Sequence, residues 1–168
     1  MRIYLIGFMG SGKSYWGPRL ANEAGFDFFD LDREIEKNQG SNIEQLFAQK
    51  GEEAFRVIEK DCLHQITEEQ PQFVMACGGG TPCFFNNIEY MKRSGLVVWL
   101  HPAVEILARR LMSEREQRPL LRSLSDQELL AFIQKKMADR RLYYEQAQVR
   151  IEQETIDLPL LLQTLSHA

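Results

Sequence analysis

Apolar and polar positions along the chain follow two alternating patterns. Short, nearly continuous apolar runs such as Val97–Leu100 are typical of strands that are buried on both faces of a sheet. Strands of this kind are predicted at Ile3–Phe8, Phe26–Phe29, Phe73–Cys77, Leu96–Leu100 and Gln148–Ile151.

Longer segments separate these strands and are predicted as helices. They are Gly12–Ala24, Arg33–Asn38, Ile43–Gln49, Glu52–Thr67, Asn86–Arg93, Ala103–Met112, Ser125–Glu145 and Leu158–Leu165. Regular alternation of strand and helix implies a parallel sheet with helices on both faces. The predicted fold class is therefore α/β, with three α/β/α layers around a five-stranded parallel sheet. No linker or repeat divides the chain, so one domain is predicted over residues 1–168.

One polar stretch, Ser113–Ser123, interrupts the alternation of strands and helices. It contains Pro119 and carries Arg115, Arg118 and Arg122 without a helical apolar stripe. A surface loop is the simpler interpretation of such a segment. The alternative is a short lid over an active site, because arginine-bearing loops close over phosphates in kinases.

Composition and charge exclude several classes of partner. The 168 residues carry a net charge of −4, which favours neither nucleic acid nor an anionic membrane as a partner. The three cysteines form no paired spacing and no signal peptide precedes them, so reduced thiols and a cytoplasmic location are expected. No His cluster accompanies Cys77 and Cys83, and a zinc site is therefore not expected there.

The segment Gly7–Ser14 reads GFMGSGKS and matches G-x-x-x-x-G-K-[ST] in full. It lies between a predicted strand and a predicted helix, where backbone N–H groups and the helix dipole can bind phosphates. Lys13 would bridge the β- and γ-phosphates of ATP, and the Ser14 hydroxyl would bind Mg²⁺. A GTPase would normally carry an N-K-x-D motif, which is absent. A small-molecule or nucleotide kinase is therefore favoured.

Two acidic residues, Asp30 and Asp32, follow the second predicted strand at its carboxyl end, where open α/β sheets bind ligands. One of them could order the water shell of the metal while the other accepts a proton from an attacking hydroxyl. Asp32 could instead cap the helix predicted from Arg33. The two roles of Asp32 are compatible with each other.

Arg56 and Glu59 lie three residues apart on a predicted helix and could form an ion pair. An arginine held by a glutamate is oriented to present its planar guanidinium to a carboxylate. A surface ion pair is the alternative, and it would stabilise the fold by less than about 1 kcal/mol.

Gly78, Gly79 and Gly80 follow the third predicted strand. Three glycines in this position expose backbone N–H groups to a ligand, since no side chain intervenes. A flexible turn is the alternative explanation, but a turn seldom needs three glycines.

The helix predicted at Ser125–Glu145 places one charged residue among apolar ones. Arg140 falls on the same arc as the apolar side chains, which are Leu129, Leu130, Ile133, Met137 and Tyr144. A charge on a buried stripe should be paired or should face a cleft. Arg140 could therefore bind an anion, or it could form a structural ion pair.

The ordered set of motifs resembles the shikimate kinase family, within the nucleoside-monophosphate-kinase-like P-loop fold. The resemblance covers nearly the whole chain and consists of GFMGSGKS at Gly7–Ser14, DxD at Asp30–Asp32, FRxxE at Phe55–Glu59, the three glycines, RPLL at Arg118–Leu121 and RxxxY at Arg140–Tyr144. It implies transfer of the γ-phosphate of ATP to the 3-hydroxyl of shikimate in aromatic amino acid biosynthesis, with Mg²⁺ as cofactor. ATP and shikimate are then the expected partners of a monomer.

The resemblance also implies roles for individual residues. Lys13, Asp32 and Arg118 are implied as catalytic, and Ser14 with Asp30 as metal-binding, Asp30 acting through water. The implied ATP-binding residues are Gly10, Ser11, Gly12, Lys13, Ser14, Tyr15, Arg110 and Arg118. The implied shikimate-binding residues are Asp32, Arg56, Gly78, Gly79, Gly80 and Arg140. Glu59 would position Arg56, and Phe47 and Phe55 would form an apolar wall.

Some alternatives remain open at this point. Leu142 stands where the family commonly has proline, so Arg141 is an alternative to Arg140. Gluconate kinase is the second candidate among kinases, and a nucleotide-binding regulator without turnover is a candidate from a different class. Nucleoside-monophosphate kinases are expected to lack FRxxE.

Overall fold

The computed structural model describes residues 1–166 and contains one parallel sheet of five strands. The strands are β1 Arg2–Ile6, β2 Asp27–Asp30, β3 Phe73–Ala76, β4 Leu96–Leu100 and β5 Val149–Ile151. Their order in the sheet is β2-β3-β1-β4-β5. The five predicted strands are therefore confirmed, with ends displaced by at most two residues. Residues 167 and 168 of the predicted domain lie outside the described range.

Seven helices connect and cover the strands within the described residues. They are α1 Lys13–Ala24, α2 Leu31–Gln39, α3 Ile43–Glu69, α4 Asn87–Ser94, α5 Val104–Ser113, α6 Asp126–Tyr144 and α7 Leu158–Ser166. Two predicted helices, Ile43–Gln49 and Glu52–Thr67, are joined in α3, which is kinked where Gly51 adopts φ 81° and ψ 169°. Short 3-10 helices at Thr81–Cys83 and Arg115–Gln117 were not predicted.

The strands are apolar on both faces because helices cover both sides of the sheet. Along β1, Tyr4 and Ile6 pack on one side, into the cluster that contains Leu63 of α3. Ile3 and Leu5 pack on the other side, into a cluster built with side chains of α1 and α7. This two-sided burial explains the continuous apolar runs and confirms the α/β/α architecture.

A third apolar cluster attaches the α5–α6 pair to the start of the chain. Phe8 lies in it with Leu111 of α5 and with Leu129 and Ile133 of α6, all at most 1% exposed. The stripe predicted on α6 is correct for these two residues and for Tyr144, but wrong for Leu130, which is 38% exposed. The buried stripe of α6 is therefore narrower than predicted, because the cluster on which α6 packs includes Leu129 and Ile133 but not Leu130.

The start of α2 settles which aspartate caps the helix. Asp30 is the N-cap, and its Oδ1 accepts a hydrogen bond from the backbone N–H of Arg33 at 3.3 Å. The helix begins at Leu31, two residues earlier than predicted, so the alternative of Asp32 as the cap is wrong. Asp32 lies in the first turn of α2, and its side chain is available for another role.

The topology brings three predicted segments to one edge of the sheet. The P-loop, residues Gly7–Ser14, follows β1, Asp30 ends β2 and the three glycines follow β3. These three strands are neighbours and run parallel, so their carboxyl ends share one edge, where open α/β sheets bind ligands. Among the helices of residues 1–166, none combines the length and the apolar character needed to span a bilayer.

Candidate active site

A cleft of about 720 Å³ opens at this edge of the sheet. Eleven of the predicted site residues line it: Gly10, Gly12, Lys13, Ser14, Tyr15, Asp30, Asp32, Gly78, Gly79, Arg110 and Arg118. Seven further residues line it that were not predicted: Met9, Trp16, Ala76, Cys77, Glu114, Glu154 and Thr155. The predicted residues Ser11, Arg56, Gly80 and Arg140 do not line this cleft.

The P-loop is held in shape by its own glycines and by a short turn. Gly7 has φ 143°, and a Cβ at this position would lie 2.5 Å from the carbonyl oxygen of Leu100, so only glycine fits. The backbone N–H of Ser11 donates to the carbonyl of Phe8 at 3.1 Å. Ser11 is only 4% exposed, which explains why its side chain does not line the cleft.

Lys13 folds back onto the loop that carries it. Its Nζ donates to the carbonyl oxygens of Gly7 at 2.8 Å and Phe8 at 3.0 Å. Burial lowers the pKa of Lys13 to about 8, and the negative charge of Asp32 opposes that shift. The ammonium is therefore positioned within the phosphate loop.

Ser14 and Asp30 form the candidate metal site. The Ser14 hydroxyl donates to Asp30 Oδ2 at 3.0 Å, so two hard oxygen ligands lie side by side in the cleft. Mg²⁺ prefers such oxygens and keeps several waters or phosphate oxygens as its other ligands. Among residues 1–166, no group of three or more His, Cys, Asp or Glu side chains could hold a metal ion. The two oxygens fit a Mg²⁺ ion that shares its coordination with nucleotide phosphates.

Asp32 lies between the phosphate loop and the three glycines. Burial raises the pKa of Asp32 to about 6, and the nearby carboxylates of Glu59 and Asp30 raise it further, while Lys13 opposes them. A Cβ on Gly78 would lie 3.3 Å from Asp32 Oδ1. A carboxyl group with this pKa is ionised near neutral pH and can accept a proton there.

Arg56 is buried beside the cleft, and the alternative of a surface ion pair is therefore wrong. It is 9% exposed, and its Nη1 donates to Glu59 Oε2 at 3.0 Å. The guanidinium also lies 4.2 Å from the ring centroid of Phe84 and within 6 Å of Phe47 and Phe55. Its Nε is buried and has no hydrogen-bond partner among the described residues. Its Nη2 donates to Glu52 Oε1 at 3.4 Å. Arg56 is therefore held in place by two acids and three aromatic rings.

Each of the three glycines makes room for a different polar group. A Cβ on Gly80 would lie 2.5 Å from Arg56 Nη2, and a Cβ on Gly79 would lie 2.8 Å from Arg140 Nη1. The Tyr144 hydroxyl donates to the carbonyl of Gly79 at 2.6 Å. These close contacts argue against a merely flexible turn, because any larger residue at Gly79 or Gly80 would displace an arginine.

The structure distinguishes Arg140 from Arg141. The Arg140 guanidinium lies beside Gly79 and 5.5 Å from the centroid of the Phe8 ring. The Arg141 side chain is 71% exposed and pairs with Glu145 at 2.6 Å. Arg140 therefore lies on the side of α6 that faces the three glycines, as its place on the predicted stripe indicates, and Arg141 does not.

Two arginines of the cleft are paired with acids that sequence reasoning missed. Arg118 donates from Nε and Nη2 to Glu114 Oε2, at 2.9 and 2.5 Å. Arg110 donates to the carbonyl of Gly10 at 2.9 Å and lies 3.5 Å from Glu154. The i,i+4 spacing of Glu114 and Arg118 could have indicated the first pair. Nothing in the sequence indicates the second, because the two residues lie on separate elements.

Comparison with known proteins gives the same assignment as the geometry. The family model for shikimate kinase matches residues 9–164. A shikimate kinase from Parabacteroides distasonis is 42% identical over 91% of this chain and 88% of its own length. The chain belongs to the shikimate kinase family. The match begins within the P-loop and covers every other segment that lines the cleft.

Solved shikimate kinases share the fold. The structure of the enzyme from Bacteroides thetaiotaomicron superposes with a TM-score of 0.91 at 35% identity, covering 99% of this chain and 97% of that one. A structure from Acinetobacter baumannii, a complex with shikimate, superposes with a TM-score of 0.84 at 33% identity, covering 99% of this chain and 90% of that one. The P-loop kinase fold predicted from the motifs is confirmed for this member of the family.

Proposed function

We propose that this protein transfers the γ-phosphate of ATP to the 3-hydroxyl of shikimate, giving shikimate 3-phosphate and ADP. The reaction belongs to aromatic amino acid biosynthesis. The observation that carries the proposal is the buried Arg56, whose guanidinium is oriented by Glu59 and adjoins Gly80 of the three glycines. A small molecule with a carboxylate and several hydroxyls fits a site with such a donor beside the carboxyl of Asp32.

The acceptor would bind around the three glycines. Arg56 and Arg140 would bind its carboxylate, since planar guanidinium groups match carboxylates in a charge-assisted geometry. Gly79 would contact the ring through its backbone, and Asp32 would accept the proton of the attacking hydroxyl. The pKa of Asp32, raised by burial to about 6, supports this role because the carboxyl is ionised at neutral pH.

The nucleotide would bind at the P-loop end of the cleft. Backbone N–H groups of Gly10–Tyr15 and the ammonium of Lys13 would bind the phosphates, and Arg118 would neutralise the charge that develops during transfer. Arg110 would lie against the adenine. Ser14 would bind Mg²⁺ directly and Asp30 through water, and the ion would supply charge neutralisation at the phosphates.

Several coarser features complete the proposal. Residues 1–168 would act as one domain, with residues 113–123 as a lid that excludes water from the bound phosphates. A monomer would suffice, because all the predicted site residues come from one chain. We place the reaction in the cytoplasm, where ATP is available.

The proposal is tested with a panel of acceptors. Protein with Mg²⁺ and ATP is incubated with shikimate, gluconate, AMP or UMP, and ADP release is followed. We expect ADP release with shikimate as the acceptor and none with the other three acceptors. Turnover with gluconate or a nucleotide instead would contradict the proposal, and ADP release at the same rate without any acceptor would indicate an ATPase. A protein that binds ATP but releases no ADP with any acceptor would support the alternative of a nucleotide-binding regulator without turnover.

A further inference from the structure

We propose that Thr81 is a positioning residue for Arg56 and acts through Glu59. The inference rests on the proposed function, since Arg56 is taken to bind the carboxylate of the acceptor. It adds a residue that touches neither the cleft nor the substrate. Thr81 is fully buried in the short 3-10 helix that follows the three glycines.

The two oxygens of the Glu59 carboxylate have different partners. The Thr81 hydroxyl donates to Oε1 at 2.7 Å, while Arg56 Nη1 donates to Oε2 at 3.0 Å. Glu59 is only 1% exposed, so water cannot replace a lost partner easily. Thr81 therefore orients the Glu59 carboxylate, with Oε2 towards the arginine.

This division of oxygens leaves part of the guanidinium for the substrate. A carboxylate with both oxygens free binds arginine through two parallel hydrogen bonds. With Oε1 held by Thr81, Glu59 reaches Nη1 alone. Nη2 donates at 3.4 Å to Glu52, whose side chain is 59% exposed, and the buried Nε has no partner among the described residues. Thr81 thus limits Glu59 to Nη1, and Nη2, whose other partner Glu52 is exposed, stays available to a carboxylate ligand.

Thr81 is itself held in place from a third element. Asn87, at the start of α4 and fully buried, donates from Nδ2 to the carbonyl of Thr81 at 3.0 Å. Gly78 leaves the space that the hydroxyl needs, because a Cβ there would lie 3.1 Å from Thr81 Oγ1. A chain of buried hydrogen bonds therefore runs from α4 through Thr81 and Glu59 to Arg56.

The test compares two substitutions at this position. Thr81→Val keeps the volume and removes the hydroxyl, and Thr81→Ser keeps the hydroxyl. We expect Thr81→Val to raise the KM for shikimate about tenfold, as expected for one lost buried hydrogen bond to a charged group. The KM for ATP and the kcat at saturating shikimate stay within about twofold of wild type. Thr81→Ser restores the wild-type KM for shikimate.

A matched control separates positioning from stability. Thr67 is another buried threonine, 3% exposed, whose hydroxyl donates to the carbonyl of Leu63 at 2.8 Å, away from the cleft. Thr67→Val is expected to lower the thermal midpoint without changing the KM for shikimate. If Thr81→Val does not fold, Thr81→Ala against Thr81→Ser gives the same comparison of hydroxyl removed and retained.

The outcomes separate this inference from the proposed function. Active wild-type protein whose KM for shikimate is unchanged by Thr81→Val would overturn the inference alone. Equal effects of Val and Ser, or equal rises in the KM for both substrates, would also overturn it. Wild-type protein that does not phosphorylate shikimate would overturn the proposed function and this inference with it.

Discussion

The candidate site has an acceptor half around the three glycines and a nucleotide half at the P-loop, and the two halves hold their arginines in different ways. On the acceptor side, Arg56 and Glu59 have side chains that are 11% and 1% exposed. On the nucleotide side, Arg118 and Glu114 have side chains that are 36% and 41% exposed. A buried ion pair is costly to break, whereas an exposed one contributes about 0–1 kcal/mol. Phosphates can therefore displace Glu114 from Arg118 at little cost, while Arg56 keeps its partner.

The difference indicates that the arginine of the acceptor half is rigidly held, whereas the arginine of the nucleotide half can exchange its partner for a ligand. Arg56 is fixed by Glu59, by Phe84 and by the close approach to Gly80. Arg118 is paired with the nearby Glu114, which a phosphate could replace. Substitutions in the two halves should therefore change different kinetic constants.

The largest effect is expected for Lys13, because no other residue of either half can take over its role. Lys13→Ala removes the ammonium that would bridge the β- and γ-phosphates, and kcat/KM should fall by at least about 1000-fold. Steady-state assays with shikimate and Mg-ATP measure the loss. Lys37→Ala is the control, because the Lys37 side chain is 78% exposed and lies 3.9 Å from Glu34, away from the cleft. A Lys13→Ala variant that keeps a tenth of the wild-type kcat/KM would contradict the proposed role.

Arg56→Ala tests whether the acceptor half is fixed by its buried pair. The KM for shikimate should rise about 10- to 100-fold, since hydrogen bonds to charged groups contribute about 1.5–3 kcal/mol. The KM for ATP should stay within about twofold. Denaturant unfolding should show a loss of about 3–5 kcal/mol, because the buried charge of Glu59 would lose its counter-ion.

Arg141→Ala is the matched control for this variant. Its side chain is 71% exposed and pairs only with Glu145 among the described residues, so activity and stability should match wild type. A rise in the KM for shikimate in Arg141→Ala would restore Arg141 as the alternative to Arg140. An Arg56→Ala variant with both shikimate parameters unchanged would mean that the carboxylate binds elsewhere.

The two halves should also respond to opposite ends of the pH range. Asp32 must be ionised to accept a proton, and its pKa is raised to about 6, so kcat/KM for shikimate should fall about tenfold per pH unit below pH 6. Lys13 must be protonated to bind phosphates, and its pKa is lowered to about 8, so kcat/KM for ATP should fall as pH rises through 8. A pH profile for each substrate, with the other saturating, measures both limbs.

The acid limb has its own control. Asp32→Asn should be much less active, and its remaining activity should not change near pH 6, because no carboxyl is left to titrate there. A wild-type kcat/KM for shikimate that stays flat down to pH 5 would show that Asp32 is not the proton acceptor. An acid limb that persists in Asp32→Asn would assign the ionisation to another group.

The smallest effect is expected for Glu114, the exposed partner of Arg118 in the nucleotide half. Glu114→Gln removes the charge that competes with phosphate for Arg118, and the KM for ATP should fall about two- to threefold, in line with an exposed ion pair. The KM for shikimate should not change. Glu116→Gln, an exposed neighbour in the same segment, is the control. If Glu114→Gln raises the KM for ATP, then Glu114 orients Arg118 for the nucleotide instead of competing with it.

The fold and the nucleotide site were largely predictable because their signals are local. Apolar runs such as Val97–Leu100 depend only on burial on both faces, and the P-loop needs its glycines and Lys13 at fixed spacing. The edges of elements were less predictable. The cap of α2 is Asp30, two residues before the expected cap Asp32, because either aspartate could serve as a cap.

The acceptor half was less predictable because its properties come from distant segments. The spacing of Arg56 and Glu59 fits an exposed pair as well as a buried one. This pair is buried by contacts of Arg56 with Phe84 and of Glu59 with the Thr81 hydroxyl, both supplied by the segment between β3 and α4. Glu154 likewise reaches Arg110 from the loop after β5. Such contacts are set by topology and leave no pattern near the arginine itself.

The position of β1 has a consequence for the synthesis of the chain. β1 is made first but lies in the middle of the sheet, where Arg2 pairs with Phe73 and Ile3 pairs with Leu96. On the ribosome this apolar strand emerges long before either neighbour, and unpaired strand edges promote aggregation. Nascent chains that end before Leu96 therefore leave β1 without its β4 neighbour, and the P-loop attached to β1 gains the hydrogen bond from Arg110 to Gly10 only after α5 has been made.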